Sequence, residues 1–374
     1  MWVHRTEAIL NDNSNISSLL LGACDGEQAL LPDFLIKLSR SSMTSIRGRT
    51  LKPREVSLFE LNLEDDPIQG LPLILGEELS QCKPIRIEPA EGKTPIVAVD
   101  VSSMKIGDTD EGALCALRAA VVWKTDEEYL YLRCGPLIFH IADYGQEAIS
   151  RSLGFRRSFP PWMFSSVTMR ILGRLRTTLE RWTQRLVCMS SRDTLVLFDG
   201  SLTAGTPDNP TKHVENILDS ARENGNIVLA FSKATKLAIS GQRVTNLLDQ
   251  MPAPCLLDID HEISAQFPPN PVKLLGRVYV AKLAAGGFAF RLDIDRQIPA
   301  EGAIEAISRL SGCDLVEDGY PETLRLAHIL STFTANEVIG IQRFAAKIYG
   351  LKIASQLSVR RSLFGPFGTG RENP

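Results

Sequence analysis

Three strand-like runs in close succession are the feature that most constrains how this chain can fold. They are rich in β-branched and aliphatic residues and cover 96–101, 113–124 and 129–141. The links between them are short and polar, which predicts an antiparallel meander of three strands.

A helix and two more strands are predicted directly after the meander. The helix covers about 162–189, because apolar residues recur there at alternating spacings of three and four, the helical period. These residues are Leu172, Leu175, Leu179, Trp182 and Leu186. A strand at 194–199, a helix at about 211–224 and a strand at 226–232 complete the series.

Three antiparallel strands followed by helix, strand, helix and strand are the element order of an RNase H-like fold. We therefore expect an α/β protein with a mixed sheet, three antiparallel strands followed by parallel strands, flanked by helices. Further along the chain, a hairpin is predicted at 277–282 and 287–294, and closing helices at 300–311 and 321–349. In this fold the first and fourth strands lie side by side.

Two of the predicted strands end on an aspartate. Asp100 ends the run Ile96-Val-Ala-Val-Asp, and Asp199 ends Thr194-Leu-Val-Leu-Phe-Asp. Ligands of open α/β sheets bind at such strand ends, and two neighbouring carboxylates can hold divalent metals or do acid–base work. Each aspartate by itself is equally typical of a turn or a cap.

Glu180 is a third candidate carboxylate. It follows the apolar position Leu179, about 100° around the predicted helix, and so flanks the packed face. From there it can lean toward both aspartates. The alternative is a surface pair with Arg176 one helical turn earlier.

An arginine-rich stretch at 151–185 indicates a track for nucleic acid, because arginine stays charged and binds phosphates in a bidentate manner. The stretch contains eight arginines and one acidic residue, Glu180. Aromatic residues within the stretch can stack on bases; they are Phe155, Phe159, Trp162 and Phe164. The alternative is a solvated face with its aromatics in the core. The predicted DNA-binding residues are Arg156, Arg157, Arg170, Arg174 and Arg181.

Composition excludes several other kinds of protein. The net charge is −3, so nucleic-acid binding would depend on a local basic surface. The seven cysteines contain no C-x-x-C pair, and the five histidines show no metal-ligand spacing, which argues against structural zinc and for reduced thiols. No apolar run reaches the ~18 residues of a membrane span, and no secretory signal is recognisable.

Four motifs in one order resemble the NurA nuclease family. They are Val97-Ala-Val-Asp100-Val-Ser-Ser, Leu197-Phe-Asp199-Gly-Ser-Leu, Ala230-Phe-Ser-Lys233-Ala-Thr and Gly319-Tyr-Pro-Glu-Thr-Leu-Arg-Leu-Ala-His328. Together they span about 94–350. By this resemblance Asp100 and Asp199 match the family's metal ligands, Glu180 its helix carboxylate, and Lys233 and His328 its later polar positions. From the residues alone, Lys233 is a solvated strand end and His328 a core-edge residue.

The resemblance implies a homodimeric, metal-dependent nuclease that cleaves single- and double-stranded DNA, as a single-strand endonuclease and 5′–3′ exonuclease. Two manganese (or magnesium) ions are expected on Asp100, Glu180 and Asp199. The implied partner is a hexameric HerA-type translocase, or helicase, acting in DNA end resection and double-strand break repair. A cytoplasmic, nucleoid-associated protein without a membrane partner is expected. The nuclease domain would cover 91–350, between an N-terminal region at 1–90 and a flexible tail at 351–374.

One departure from the family pattern bears on activity. The family commonly has glycine after the first aspartate, where this chain has Val101. Valine adopts a positive φ only with difficulty, so a turn beside the metals would differ here. A non-catalytic DNA-binding regulator or scaffold of a translocase therefore stays open as an alternative. An actin-like or sugar-kinase ATPase is disfavoured, because no glycine-rich phosphate turn follows either aspartate.

Overall fold

The computed structural model describes residues 30–53, 74–75, 83–126, 128–142, 167–206, 209–235, 237–239, 242–266 and 272–354. The helices in these residues are α1 Leu30–Thr44, α2 Val167–Ser190, α3 Thr211–Glu223, α4 Asp260–Gln266, α5 Ala300–Cys313, α6 Glu322–Ser331 and α7 Ala335–Tyr349. None of these helices is long and apolar enough to cross a bilayer. A 3-10 helix covers Val244–Leu248.

Among the described residues, the strands form one large sheet and three small ones, which are built from two-residue strands. In chain order they are β1 Thr50–Pro53, β2 Ile74–Leu75, β3 Ile85–Arg86, β4 Ile96–Thr109, β5 Gly112–Thr125, β6 Glu128–Ala142, β7 Leu195–Asp199, β8 Thr203–Ala204, β9 Ile227–Ser232, β10 Ala238–Ile239, β11 Gln242–Arg243, β12 Cys255–Asp258, β13 Lys273–Leu274, β14 Gly276–Lys282, β15 Phe290–Asp295, β16 Val316–Glu317, β17 Tyr320–Pro321 and β18 Lys352–Ile353.

The large sheet confirms the predicted fold class. Strands β4, β5 and β6 form an antiparallel meander. Strand β7 pairs in parallel with β4, and β9 pairs in parallel with β7, so the first and fourth strands of the RNase H-like order are neighbours. Beyond β9 the sheet continues antiparallel through β15, β14 and β12 to β3. The predicted hairpin at 277–294 is β14–β15.

Asp100 is not at the end of its strand, and this part of the sequence prediction is wrong. Strand β4 continues to Thr109, because β5 pairs with it along its whole length. Strand β7 stops at Asp199, one register step after Val99 pairs with Phe198. The sheet edge at Asp100 therefore arises because the neighbouring strand ends, and β1 pairs with β4 only further on, at 107–109.

Val101 lies inside β4 rather than in a turn. Its side chain is fully buried, and it pairs with Ala119 of β5. Extended backbone suits a β-branched residue, so no positive φ is required where the sequence comparison placed a glycine. Gly200, after Asp199, does have a positive φ of 104°, and its N–H donates to the carbonyl oxygen of Phe231 at 2.8 Å.

Alternation along the strands puts both aspartates on one face of the sheet. Ala98 and Leu197, each two residues before an aspartate, are buried in the core formed with α5 and α6. Because side chains alternate between the faces of a strand, Asp100 and Asp199 share that face. The opposite face packs against α2 and α3 through Val97, Val99, Val196 and Phe198.

The predicted apolar stripe on α2 is buried as expected. Leu172, Leu175 and Leu179 pack with Val101 and with α1 against β5 and β6. The helix is described from Val167, so the predicted start at 162 lies outside the described residues. The division of the chain at residues 90 and 350 stays a prediction.

The helix predicted over 321–349 is wrong as a single element. It is divided into α6 and α7 at Thr332–Thr334. Thr334 caps α7 with a capping box: its hydroxyl accepts from the Glu337 N–H, while the Glu337 carboxylate accepts from the Thr334 N–H. Such a box satisfies the free N–H groups of a new helix start, so it favours a break over continuation.

Glu337 is also expected to make the free energy of unfolding depend on pH in the acid range. Burial raises its pKa, but hydrogen bonds from Arg118, the Thr334 backbone and Arg133 outweigh this and lower the pKa to about 2. A carboxyl whose folded-state pKa is depressed stabilises the fold above its unfolded pKa of about 4.5 and loses this as pH falls toward 2. The wild type should lose about 1–2 kcal/mol through this group between pH 7 and pH 3.

Urea unfolding of Glu337→Gln at the two pH values measures that contribution. We expect the variant to be less stable than the wild type at pH 7 and closer to it at pH 3. An equal difference at both pH values would show that the Glu337 charge does not stabilise the fold.

Candidate metal centre

Two carboxylates and one imidazole meet where β7 ends beside β4. One ligand atom each from Asp100, Asp199 and His328 lies within 4.8 Å of the others. Both aspartate side chains are largely buried, with 3% and 6% exposed, while that of His328 is 37% exposed. Helix α6 brings His328 to Asp100, 228 residues earlier in the sequence.

Asp100 is held in its ionised form by hydrogen bonds. The hydroxyl of Ser331 donates to its Oδ2 atom at 2.5 Å, and Nδ1 of His328 lies 3.1 Å from the same oxygen. Burial raises the pKa of Asp100, but these two hydrogen bonds lower it to about 2. The same contact with Asp100 raises the pKa of His328 above its usual value of 6.5.

Asp199, unlike Asp100, has a pKa above its usual value. Its pKa is raised by burial and by the negative charge of Asp100, and the ammonium group of Lys233 opposes this only in part. The Lys233 Nζ atom lies 2.6 Å from Asp199 Oδ2, and Nδ1 of His328 lies 3.9 Å from that oxygen. Two carboxylates this close repel each other, so a bound cation would be favourable here.

Glu180 lies near the two aspartates but outside the group at ligand distance. Burial and the charges of Asp100 and Asp199 raise its pKa, against the opposing effect of Arg181 and Arg176. Its Oε1 atom accepts a hydrogen bond from Gln184 at 3.2 Å. Arg176 points to the sheet, where its Nε donates to the carbonyl oxygen of Val101 at 2.9 Å. Glu180 is therefore close enough for the two aspartates to affect its pKa, and its role as a ligand stays a prediction.

The arginines predicted to bind DNA differ from one another in how far they are engaged within the protein. Arg181 is engaged within the protein, donating to Asn209 at 3.1 Å and to Gln184 at 2.7 Å. Arg170 and Arg174 lie on α2 with partly exposed side chains. Arg156 and Arg157, with the aromatic residues between 155 and 164, lie outside the described residues. The predicted DNA track is therefore untested.

Sequence reasoning did not select three polar residues of the site. The Tyr320 hydroxyl lies 3.5 Å from Asp199 Oδ1, and its ring packs edge-on against Phe231 and Phe290. Ser331 donates to Asp100, and Ser102 lies 2.8 Å from the Ser331 hydroxyl. Two signals were available: Tyr320 lies in the Gly-Tyr-Pro motif, and Ser331 follows His328 by three residues, on the same helix face.

Fold and site together define an RNase H-like α/β protein with the donor set of a divalent-metal centre at a sheet edge. A family model for the NurA domain matches residues 94–331, more than half of the chain. The chain therefore belongs to the NurA family, and the resemblance found in its motifs is confirmed. Family membership supports a nuclease, an enzyme that hydrolyses DNA.

Solved structures show remote similarity. The NurA nuclease of Sulfolobus solfataricus is 16% identical, with a TM-score of 0.47, over 70% of this chain and 87% of that one. A NurA structure with manganese is 11% identical, with a TM-score of 0.35, over 71% and 92%. Endonuclease V of Bacillus subtilis is 13% identical, with a TM-score of 0.33, over 70% and 88%. No curated protein matches the chain.

Proposed function

We propose that this protein is a metal-dependent DNA nuclease whose centre is built on Asp100, Asp199 and His328. The observation that carries the proposal is the convergence of these three ligand atoms within 4.8 Å at one sheet edge. Two buried carboxylates in mutual repulsion are costly to keep unless a positive charge compensates them. A divalent cation would supply that charge.

The donor set fits such a cation. Carboxylate oxygens suit magnesium and manganese, and an imidazole nitrogen is acceptable to manganese. Asp100 and Asp199 would hold the ion together with His328, and we propose Glu180 as a ligand of a second ion, as the family resemblance implies. When bound, such ions activate water and stabilise the charge that develops in phosphodiester hydrolysis.

The protein's own groups serve that reaction in distinct ways. Lys233 presents a positive charge beside Asp199 and, with its side chain 35% exposed, can also meet a phosphate oxygen. The Tyr320 hydroxyl, next to Asp199, can orient a substrate oxygen by hydrogen bonding. Nδ1 of His328 holds a proton toward Asp100 and must release it before that atom can bind a cation.

Cleavage of DNA should depend on added metal. We expect the purified protein to convert end-labelled single- and double-stranded DNA to shorter products with Mn²⁺. No product is expected when EDTA is present in excess over the ion. Denaturing gel electrophoresis of 5′- and 3′-labelled substrates measures the rate and shows the direction of cleavage.

DNA binding without any metal-dependent product would contradict the proposed nuclease activity. It would favour the alternative, a non-catalytic DNA-binding scaffold of a translocase. The sequence kept that alternative open because of Val101. Val101 lies in extended strand, so the reason for expecting an altered turn beside Asp100 no longer applies.

Finer features of the function are part of the same proposal. We propose manganese as the ion, single-strand endonuclease and 5′–3′ exonuclease activity, and a homodimer in the cytoplasm near the nucleoid. We further propose action with a HerA-type translocase in end resection and double-strand break repair. The family resemblance, rather than any contact of the site, supports these proposals.

A further inference from the structure

A buried arginine contacts the residue that ends α6, the helix that carries His328 and Ser331. Arg118, on β5, has a side chain 3% exposed. Its Nη1 atom donates to the carbonyl oxygen of Thr332 at 3.1 Å and to Glu337 Oε2 at 3.2 Å, while Nη2 lies 2.9 Å from Glu337 Oε1. The guanidinium also lies over the Phe333 ring, 4.4 Å from its centre. One side chain thus contacts the link between the two helices, including the C-cap of α6, and the first turn of α7.

Strand alternation directs Arg118 toward that link, because Arg118 pairs in regular register with Ser102 of β4 and so shares a face with Asp100 and its partner Ala120. The pairing of β5 with β6 shifts register between Leu117 and Ala119, so Arg118 has no paired residue on β6. Opposite the shift is Gly135, with a φ of 111°, where a Cβ atom would come within 2.7 Å of the Leu117 carbonyl oxygen. The extra residue of this bulge therefore lies on β6, where Gly135 and Pro136 oppose Arg118, and bulges recur beside active sites.

The contacts of Arg118 lead directly to the candidate metal centre. Thr332, which it binds, follows Ser331, the hydrogen-bond donor to Asp100. Ser102, the cross-strand partner of Arg118, is the residue whose hydroxyl meets Ser331. Two paired residues of β4 and β5 therefore hold the same end of α6.

The charge of Arg118 also suits the end of a helix. Thr332 is the C-cap of α6, where carbonyl groups lack helical partners and carry partial negative charge. A planar guanidinium can satisfy the carbonyl and pair with Glu337 at the same time, which a smaller cation does less well.

We propose that Arg118 is a positioning residue of the metal centre: it fixes the C-terminal end of α6 and thereby the placement of His328 and Ser331 against Asp100. Its effect on cleavage rests on the proposed nuclease function. Its effect on the placement of His328 does not, and can be measured without metal or DNA.

Arg118→Met tests the inference, with the imidazole ¹⁵N resonances of metal-free protein and the kcat and KM for DNA as readouts. The His328 signal, assigned with His328→Ala, should shift because its contact with Asp100 changes. The value of kcat should fall about tenfold or more, since small displacements of catalytic groups are costly, while KM stays within about twofold.

Arg296→Met is the matched control. Arg296 makes a bidentate pair with Asp260 at 2.7 and 2.8 Å, and it follows β15 at the end of the sheet away from Asp199. It should leave both kcat and the His328 resonance unchanged. If Arg118→Met does not fold, as judged by circular dichroism, Glu337→Gln becomes the deciding variant. It weakens the contact between Arg118 and residue 337 and keeps the shape of the side chain.

An unchanged His328 resonance in a folded Arg118 or Glu337 variant would overturn the inference. An unchanged kcat of that variant would also overturn it, if the wild type cleaves DNA. Absence of metal-dependent cleavage by the wild type would instead contradict the proposed function. In that case the His328 resonance of the metal-free Arg118→Met protein would still test whether Arg118 positions His328.

Discussion

Asp199→Asn is expected to reduce metal-dependent cleavage of DNA by at least about 10³-fold, since a metal centre supplies several kcal/mol of transition-state stabilisation and about 1.4 kcal/mol corresponds to a factor of ten. Asparagine keeps the shape of the side chain but removes its charge. The free energy of unfolding of the metal-free protein should stay close to that of the wild type. Burial and Asp100 already raise the pKa of Asp199, so its neutral form is tolerated there.

The measurements are the cleavage rate, Mn²⁺ binding by calorimetry and urea unfolding. Asp108→Asn is the matched control, on the same strand as Asp100 but with a side chain 56% exposed and paired with Lys105 at 2.6 Å. It should cleave DNA like the wild type. If Asp199→Asn keeps its cleavage rate within about twofold of the wild type, the centre proposed here is not the catalytic one.

Asp293→Ala is expected to destabilise the fold by about 3–5 kcal/mol, because it leaves the buried guanidinium of Arg291 without its carboxylate. The two side chains are 1% and 0% exposed on β15, and both hydrogen bonds between them are 2.7 Å long. Asp293 Oδ2 also accepts from the N–H of Leu202 at 3.0 Å. The substitution therefore also releases the segment that follows Asp199.

Urea unfolding measures this loss, and two further variants test its cause. Glu305→Ala breaks an exposed pair with Arg309, 3.7 Å apart, and should change stability by less than about 0.5 kcal/mol. The double variant Arg291→Met/Asp293→Leu should regain most of the loss, because it buries neither charge. A cost below about 1 kcal/mol for Asp293→Ala would mean that solvent reaches Arg291, contrary to its burial.

Much of the fold follows from local patterns. The β-branched runs, the helical spacing of Leu172, Leu175 and Leu179, and the order of the elements predict the meander and the parallel strands. They fail where two signals compete. The apolar pattern continues across 321–349, while the Thr334–Glu337 capping box starts a new helix there.

The candidate site divides in the same way. Asp100 and Asp199 are predicted from strand pattern and element order, and Lys233 and His328 only from the motifs of a family. Ser331, Tyr320 and Arg118 are not predicted, because their partners lie far away in sequence. Arg118 in particular reads as an ordinary strand arginine until the break between α6 and α7, and its contacts with Thr332 and Glu337 there, are known.

The sequence by itself determines most of the strands and helices, and that each aspartate lies on the same face of its strand as the residue two positions before it, because alternation and helical period are local properties of the chain. Tertiary structure decides that Asp100 lies at an edge although its strand continues, since that depends on where β7 stops. It also decides that α6 places His328 and Ser331 on Asp100. Such contacts depend on packing between distant segments, and a linear pattern does not record packing.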